Sequence, residues 1–240
     1  MCTVTYLPLG KNDFILTSNR DEDPKRKTIK PNEYIEDGVK LTYPKDELAG
    51  GTWIGVSEKK RLICLLNGGF TKHQRKEAYR MSRGVIVKHL LKSDNAVKEI
   101  EHFSFEDIEP FTIVLVDWNV ELIVVELVWD GVKKHVNKLE QEPKIWSSST
   151  LYDEATKQMR KEWFAVWLKE HQEFKKEDII AFHQDETKGT PDISLKMKRE
   201  YVETVSTTCV VKEGEEISMS YLQDGVGTSG VNNGIGKVKV

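Results

Sequence analysis

Cysteine is scarce in this chain. Its 240 residues hold three, Cys2, Cys64 and Cys209, far apart and odd in number. No CxxC or CxxCH pair occurs, which excludes a disulfide framework and the common haem-attachment signature and points to a reducing compartment. Long apolar runs are lacking too. The longest, around 113–128, is broken by Asp117, Asn119, Glu121 and Glu126, so no membrane span is expected. The N-terminus has neither the basic nor the apolar region of a secretory signal. An excess of one charge is also missing: 36 basic and 39 acidic residues leave a net charge of −3, which recruits neither nucleic acid nor an anionic membrane. The six histidines are scattered and make no HExxH pair. Asp21, Glu22 and Asp23 lack EF-hand spacing, so no metal site is expected. These absences lead to the expectation of a cytoplasmic protein without a cofactor.

What is present is a folded composition, 38% apolar and 31% charged, over a length that buries a sizeable core. No repeat or linker divides it. The expectation is one domain over 1–240, with 224–240 a Gly/Asn-rich tail. Within that tail, GVNNGIGK has the wrong glycine spacing and no Ser/Thr for a phosphate loop.

Strands are expected at 2–7 and 14–19, joined as a hairpin through Pro8-Leu9-Gly10-Lys11. A polar stretch over 23–47 reads as a long loop. A second hairpin, 52–57 with 61–66, ends in Asn67-Gly68-Gly69. Helices follow over 76–91 and 95–102. Three β-branched strands at 111–117, 120–129 and 132–139 suggest a covered, central sheet. A long helix over 153–173 places Ala155, Met159, Trp163, Val166 and Trp167 on one face. Another spans 176–183, and strands at 202–212 and 215–222 close the pattern. This order is α+β, with two sheets and two helical layers.

The first hairpin brings two polar features together. If its turn is centred near Leu9, paired residue numbers sum to about 22, which sets Val4 across from Ser18, Tyr6 across from Leu16 and Cys2 across from Arg20. A guanidinium near a thiol favours the thiolate. Removal of Met1 would leave an α-amine, ordinarily titrating at about 7.7–8.0, as general base for the thiol of its own residue. Asp21 could orient that amine, and Asn67 could donate to an oxyanion. Each feature has a plainer reading: an early Cys is usually a small apolar residue, a charge run is usually a solvated strand end, and Asn before Gly is usually a turn. Only their juxtaposition favours chemistry.

Cys2-Thr3, Asn19-Arg20-Asp21-Glu22 and Gly50-Gly51-Thr52-Trp53-Ile54-Gly55-Val56 resemble the transport and Golgi organisation protein 2 family, also called the NRDE family. The resemblance implies a four-layer α/β/β/α sandwich of N-terminal nucleophile hydrolase type, similar to penicillin V acylases and bile salt hydrolases. It implies Cys2 as nucleophile, Arg20 and Asp21 as the charged cluster beside it, and Asn67 as an oxyanion or substrate contact. Asn19, Thr52, Trp53 and Ser149 would be substrate contacts. Two positions depart from the family pattern. Ser149 stands where an SNxLLD-like segment has Asn, and Val205 stands where a TRSxT-like strand has Arg.

Two functions follow from the resemblance. One is an N-terminal cysteine amidohydrolase that cleaves a small C–N amide. The alternative is a non-catalytic family member that binds haem or a lipid-like ligand. The partner in either case is a small molecule, and nothing in the sequence sets an oligomeric state.

Overall fold

The computed structural model describes residues 3–223 and the backbone of 236–239. The chain divides into two compact units. One runs to Arg26 and takes in Glu142–Ser147 and Leu151–Lys239, while the other comprises Lys27–Gln141 and Ser148–Thr150. Seventeen elements occur in the described residues, β1 to β13 and α1 to α4 in chain order.

The first unit holds a six-stranded sheet in the order β10-β1-β2-β11-β12-β13, antiparallel throughout. β1 (Thr3–Pro8) and β2 (Phe14–Glu22) form the expected hairpin, closed by the Leu9 amide donating to Asp13 O at 2.8 Å. Val4 stands opposite Ser18 and Tyr6 opposite Leu16, as the hairpin arithmetic requires. Thr3 opposite Asn19 is the last pair among the described residues, and Cys2 lies outside them. β10 (Lys144–Ser147), which sequence periodicity does not reveal, pairs with the other side of β1. β11 (Glu203–Glu213) and β12 (Glu216–Gln223) follow as expected. β13 (Gly236–Lys239) pairs with β12 where a tail was expected; the rest of that stretch, 224–235 and Val240, lies outside the described residues.

Strand alternation sorts this sheet's side chains onto two faces. Leu7, Ile15, Cys209 and Val211 pack with Phe164, Trp167, Ile179 and Phe182 of α3 (Glu154–Glu170) and α4 (Lys176–His183). Fully burying each large apolar side chain contributes about 1.5–3 kcal/mol. The buried stripe of α3 is Thr156, Arg160, Phe164 and Trp167, which shares Trp167 with the expected face, and Trp163 packs against the same cluster. Ala155 is exposed and Val166 is 51% exposed. Arg160 takes a place on the buried face, and a count of apolar residues cannot anticipate a buried guanidinium.

The second unit is a seven-stranded antiparallel sheet, β3 to β9 in sequence order. The expected loop over 23–47 is instead the hairpin of β3 (Thr28–Glu36) and β4 (Val39–Asp46). Its turn is Asp37-Gly38, with φ of +50° and +77°, the left-handed pair that a two-residue hairpin turn needs. β3 is an edge strand with a register shift between Ile29 and Asn32. Its Pro31, Lys30 and Glu33 suit an edge that must not pair further, and the same residues make it read as loop. β5 (Ile54–Ser57), β6 (Arg61–Asn67), β7 (Phe111–Asp117) and β8 (Ile123–Trp129) carry the buried centre. β9 (Lys134–Leu139) is the far edge and largely exposed, in contrast to the covered strand expected there.

α1 (Arg83–Lys92) and α2 (Ala96–His102) cover one face of this sheet. α1 starts later than its apolar spacing suggests, because Ser82 caps it by accepting from the Gly84 amide. Gly84 then meets the GGTWxGV string. A Cβ on Gly51 would lie 2.8 Å from the Gly84 carbonyl carbon, and one on Gly84 would lie 2.9 Å from Thr52 O. Gly55 admits Leu91 of the same helix in the same way. At its other end, the buried Arg61 donates to the carbonyls of Leu90, Ser93 and Asp94, placing a cation where the helix dipole is negative. The motif therefore docks a helix. Gly51→Ala and Gly84→Ala should each lower stability by roughly 1–3 kcal/mol, the range for overpacking a tight contact, measured by urea denaturation. An unchanged midpoint in both variants would contradict this packing.

Candidate active site

The polar residues of β2 separate by face. Arg20 is on the side of Val4 and Leu16; its Nη1 donates to Arg26 O at 3.3 Å and its Nη2 lies 3.9 Å from Glu22. Asn19 and Asp21 are on the helix-covered side, both buried. Asp21 Oδ1 accepts from Thr204 Oγ1 at 2.7 Å and Oδ2 accepts from Tyr152 Oη at 2.9 Å. Thr204 can do so because β11 shifts register between Thr204 and Ser206. Val205, which stands where the family pattern has Arg, is the residue at that shift.

Asn19 is fully committed within the unit. Its Nδ2 donates to the carbonyls of His183 and Leu195, each at 2.9 Å. Its Oδ1 accepts from Thr207 Oγ1 at 2.8 Å and from His183 Nδ1 at 3.1 Å. That oxygen can only accept, so His183 carries its proton on Nδ1. His183 Nε2 therefore accepts from Thr5 Oγ1 at 2.8 Å. Burial first, and the nearby Arg160 charge second, push the imidazole pKa down to about 3, so His183 is neutral at physiological pH.

Arg160 is the residue that sequence reasoning missed. It is fully buried, and its Nη1 donates to Thr3 Oγ1 at 2.5 Å. Its Nε and Nη2 reach Ile193 O at 3.1 and 3.0 Å, and Nη2 also reaches Ser194 O at 2.5 Å. The guanidinium carbon stacks 3.7 Å from the centroid of Tyr152, the ring whose hydroxyl holds Asp21. Arg199 lies 5.4 Å from the same ring and donates to the carbonyls of Leu151 and Asp192. The available signal was the spacing of Thr156, Arg160 and Phe164 on one helix face, with Tyr152 one residue before the Asp153 cap.

The remaining candidates belong to the other unit. Thr52 Oγ1 donates to Pro44 O at 2.6 Å and Ile54 O at 2.8 Å. Trp53 is buried, and its carbonyl accepts from the Leu65 amide. Asn67 ends β6; its carbonyl accepts from Ser148 Oγ at 2.7 Å, and the amide of the following Gly68 is spent on Pro110 O. Ser149 is buried, and its hydroxyl has no hydrogen-bond partner among the described residues. That oxygen packs so closely on Gly68 (φ +88°) that a Cβ there would come within 2.2 Å of it. The structure thus brings Asn67 and Ser149 together in one unit, and Asn19, Arg20, Asp21 and the strand leading from Cys2 together in the other.

Comparison with known proteins follows the same lines. The family model described as Transport and Golgi organisation 2 matches residues 1–228. No curated protein matches the sequence. Among solved structures, a Caenorhabditis elegans N-acylethanolamine-hydrolyzing acid amidase orthologue aligns with a TM-score of 0.59 at 14% identity, covering 87% of this chain and 92% of its own. A variant of the conjugated bile acid hydrolase from Clostridium perfringens aligns with a TM-score of 0.52 at 11% identity, covering 99% and 92%. Penicillin V acylase from Agrobacterium tumefaciens aligns with a TM-score of 0.51 at 9% identity, covering 93% and 83%. At these identities the likeness shows the fold: α+β, with two β-sheets flanked by helices, of N-terminal nucleophile hydrolase type. Among the described residues no helix is long and apolar enough to cross a membrane.

The neutral buried His183 makes a testable contribution to stability. Its pKa is about 3 in the folded chain and near 6.5 unfolded, so the unfolded state binds the extra proton between those values. Stability from this group is complete above pH 6.5 and falls by up to about 1.4 kcal/mol per unit as pH drops toward 3. Replacing it by His183→Gln should flatten the wild-type-minus-variant stability difference only above pH 6.5 and shrink it steadily below, by urea titrations from pH 8 to 4.5. A difference independent of pH would show that His183 titrates alike in the folded and unfolded chains, and would contradict a buried imidazole held neutral.

Proposed function

The chain belongs to the Transport and Golgi organisation 2 family, and from that premise we propose that it is an N-terminal cysteine amidohydrolase acting on a small C–N amide. The observation that carries this reading is the setting of Asp21. It is a buried carboxylate, oriented by two hydroxyl donors, two residues beyond the Asn19 that pairs with Thr3. Cys2 is bonded to Thr3, and consecutive Cα atoms are about 3.8 Å apart, which supports the reading that this carboxylate serves the start of the chain.

With Met1 removed, the α-amine takes the thiol proton and the thiolate attacks the amide carbonyl. Collapse of the tetrahedral intermediate breaks the C–N bond, and the amine product leaves with the proton held by the α-ammonium. Water then adds to the thioester, the α-amine accepts its proton, and acid and thiol are released. Asp21 holds the ammonium form and fixes its direction. The sequence resemblance alone supplies the remaining roles: Asn67 as oxyanion donor, Arg20 as part of the charged cluster with Asp21, and Thr52, Trp53 and Ser149 as substrate contacts. Asn19 acts at a distance, by fixing β2 to α4 and the 195 segment. Function in a reducing compartment such as the cytoplasm keeps the three thiols free.

The other thiols make the test clean. Cys64 and Cys209 are both buried, and burial pushes the Cys209 thiol up to about 11. Intact mass after brief exposure of the native protein to a thiol-reactive acyl electrophile should show one adduct on a chain lacking Met1, located at Cys2. Retention of Met1, or labelling of Cys64 or Cys209 ahead of Cys2, would sink the amidohydrolase reading. If Cys2→Ala protein then bound haem or an acyl lipid as well as wild type, the non-catalytic alternative would stand in its place.

A further inference from the structure

Resting on the amidohydrolase reading, we propose that Arg160 is the positioning residue of the N-terminal nucleophile: one guanidinium fixes both the strand that carries Cys2 and the carboxylate that orients its amine. Two independent contacts support it. Through Nη1, Arg160 holds Thr3 Oγ1, one residue from Cys2. Through its flat face it stacks on Tyr152 at 3.7 Å, and the Tyr152 hydroxyl donates to Asp21. A shift of the guanidinium would move both ends of this arrangement together.

The partners of Arg160 make a purely structural explanation expensive. Among the described residues its hydrogen-bond acceptors are two carbonyls and one hydroxyl, all uncharged. A fully buried cation without a carboxylate partner is costly, and an apolar side chain of similar volume often serves stability as well or better. Arg160 does supply what an apolar residue lacks, a rigid planar fork that binds three acceptors while leaving a face free to stack. Its charge is also felt locally, since it contributes to the lowered pKa of His183. Arg199 is on the same ring at 5.4 Å, so Tyr152 is gripped by two guanidinia while its hydroxyl points at Asp21.

The fork, and not only the charge, is what the proposal requires. Lysine keeps the charge but cannot reach Thr3, Ile193 and Ser194 together or stack as a plane. Tyr152→Phe keeps the stacking surface and removes only the donor to Asp21. The experiment measures the rate of Cys2 acylation against pH for wild type, Arg160→Lys and Tyr152→Phe, by intact mass, alongside their urea unfolding midpoints. Rates are compared at urea concentrations where each protein is folded.

We expect Arg160→Lys to acylate Cys2 at least tenfold more slowly, with a displaced pH midpoint. Tyr152→Phe should show a smaller loss and displacement in the same direction with little change in stability. If both variants label Cys2 at the wild-type rate and pH midpoint while only the unfolding midpoint falls, Arg160 is merely structural and the proposal is overturned, although the amidohydrolase reading survives. If wild type itself fails to label at Cys2, the reading fails first and the positioning role falls with it. Should Arg160→Lys not fold, Tyr152→Phe decides alone: an unchanged pH profile overturns the proposal.

Discussion

The pairing of Thr3 with Asn19 is the constraint on which the first unit depends, because both side chains belong to the helix-covered face and both are anchored there. Arg160 holds Thr3, while His183, Thr207 and the carbonyls of His183 and Leu195 saturate Asn19. A slip of one residue would turn these groups to the other face of the sheet and leave a guanidinium, an imidazole and an amide buried without partners. The register is thereby held by polar contacts as firmly as by the apolar packing beneath α3 and α4. It also decides where Asp21 stands relative to the start of the chain.

The NRDE string is consequently not a single-purpose motif. Asn19 ties the sheet to its helices, Arg20 faces the opposite side, and Asp21 is held by hydroxyls from Tyr152 and Thr204. Adjacent residues point to opposite faces in a strand, so a contiguous sequence motif is split into separate tasks. The GGTWxGV string is different again. Its glycines let α1 approach the backbone at Gly51 and Thr52 and let Leu91 pass over Gly55. Its signature reflects helix docking, with Thr52 bonded internally.

How much of this is legible in the sequence depends on what each element uses to hold itself. The register of the first hairpin is legible, with Val4 opposite Ser18 and Tyr6 opposite Leu16, because the turn-rich link fixes its centre, whereas the run of β2 on to Glu22 is not. β7 and α4 are likewise legible from β-branched density and from helical spacing. The β3–β4 hairpin is not, since an edge strand carries Pro and charge for the same reasons that a loop does. α3 is legible as a helix, yet its buried face is only partly so. Arg160 is inside because hydrogen bonds and an aromatic ring make room for it, and hydropathy counts it as surface. The resemblance of short strings pointed to Asp21 and Cys2, but Tyr152, Thr204 and Arg160 come from distant parts of the chain and only folding gathers them.

The central claim is that the second residue of this chain forms a covalent bond with its substrate. The direct measurement is intact mass of the protein acid-quenched during turnover of a small N-acyl amide found to be hydrolysed. The account predicts an acyl adduct on the N-terminal peptide of a chain without Met1, a bond that hydroxylamine cleaves as it does a thioester, and no turnover by Cys2→Ala. Amide hydrolysis that persists undiminished in Cys2→Ala would contradict it.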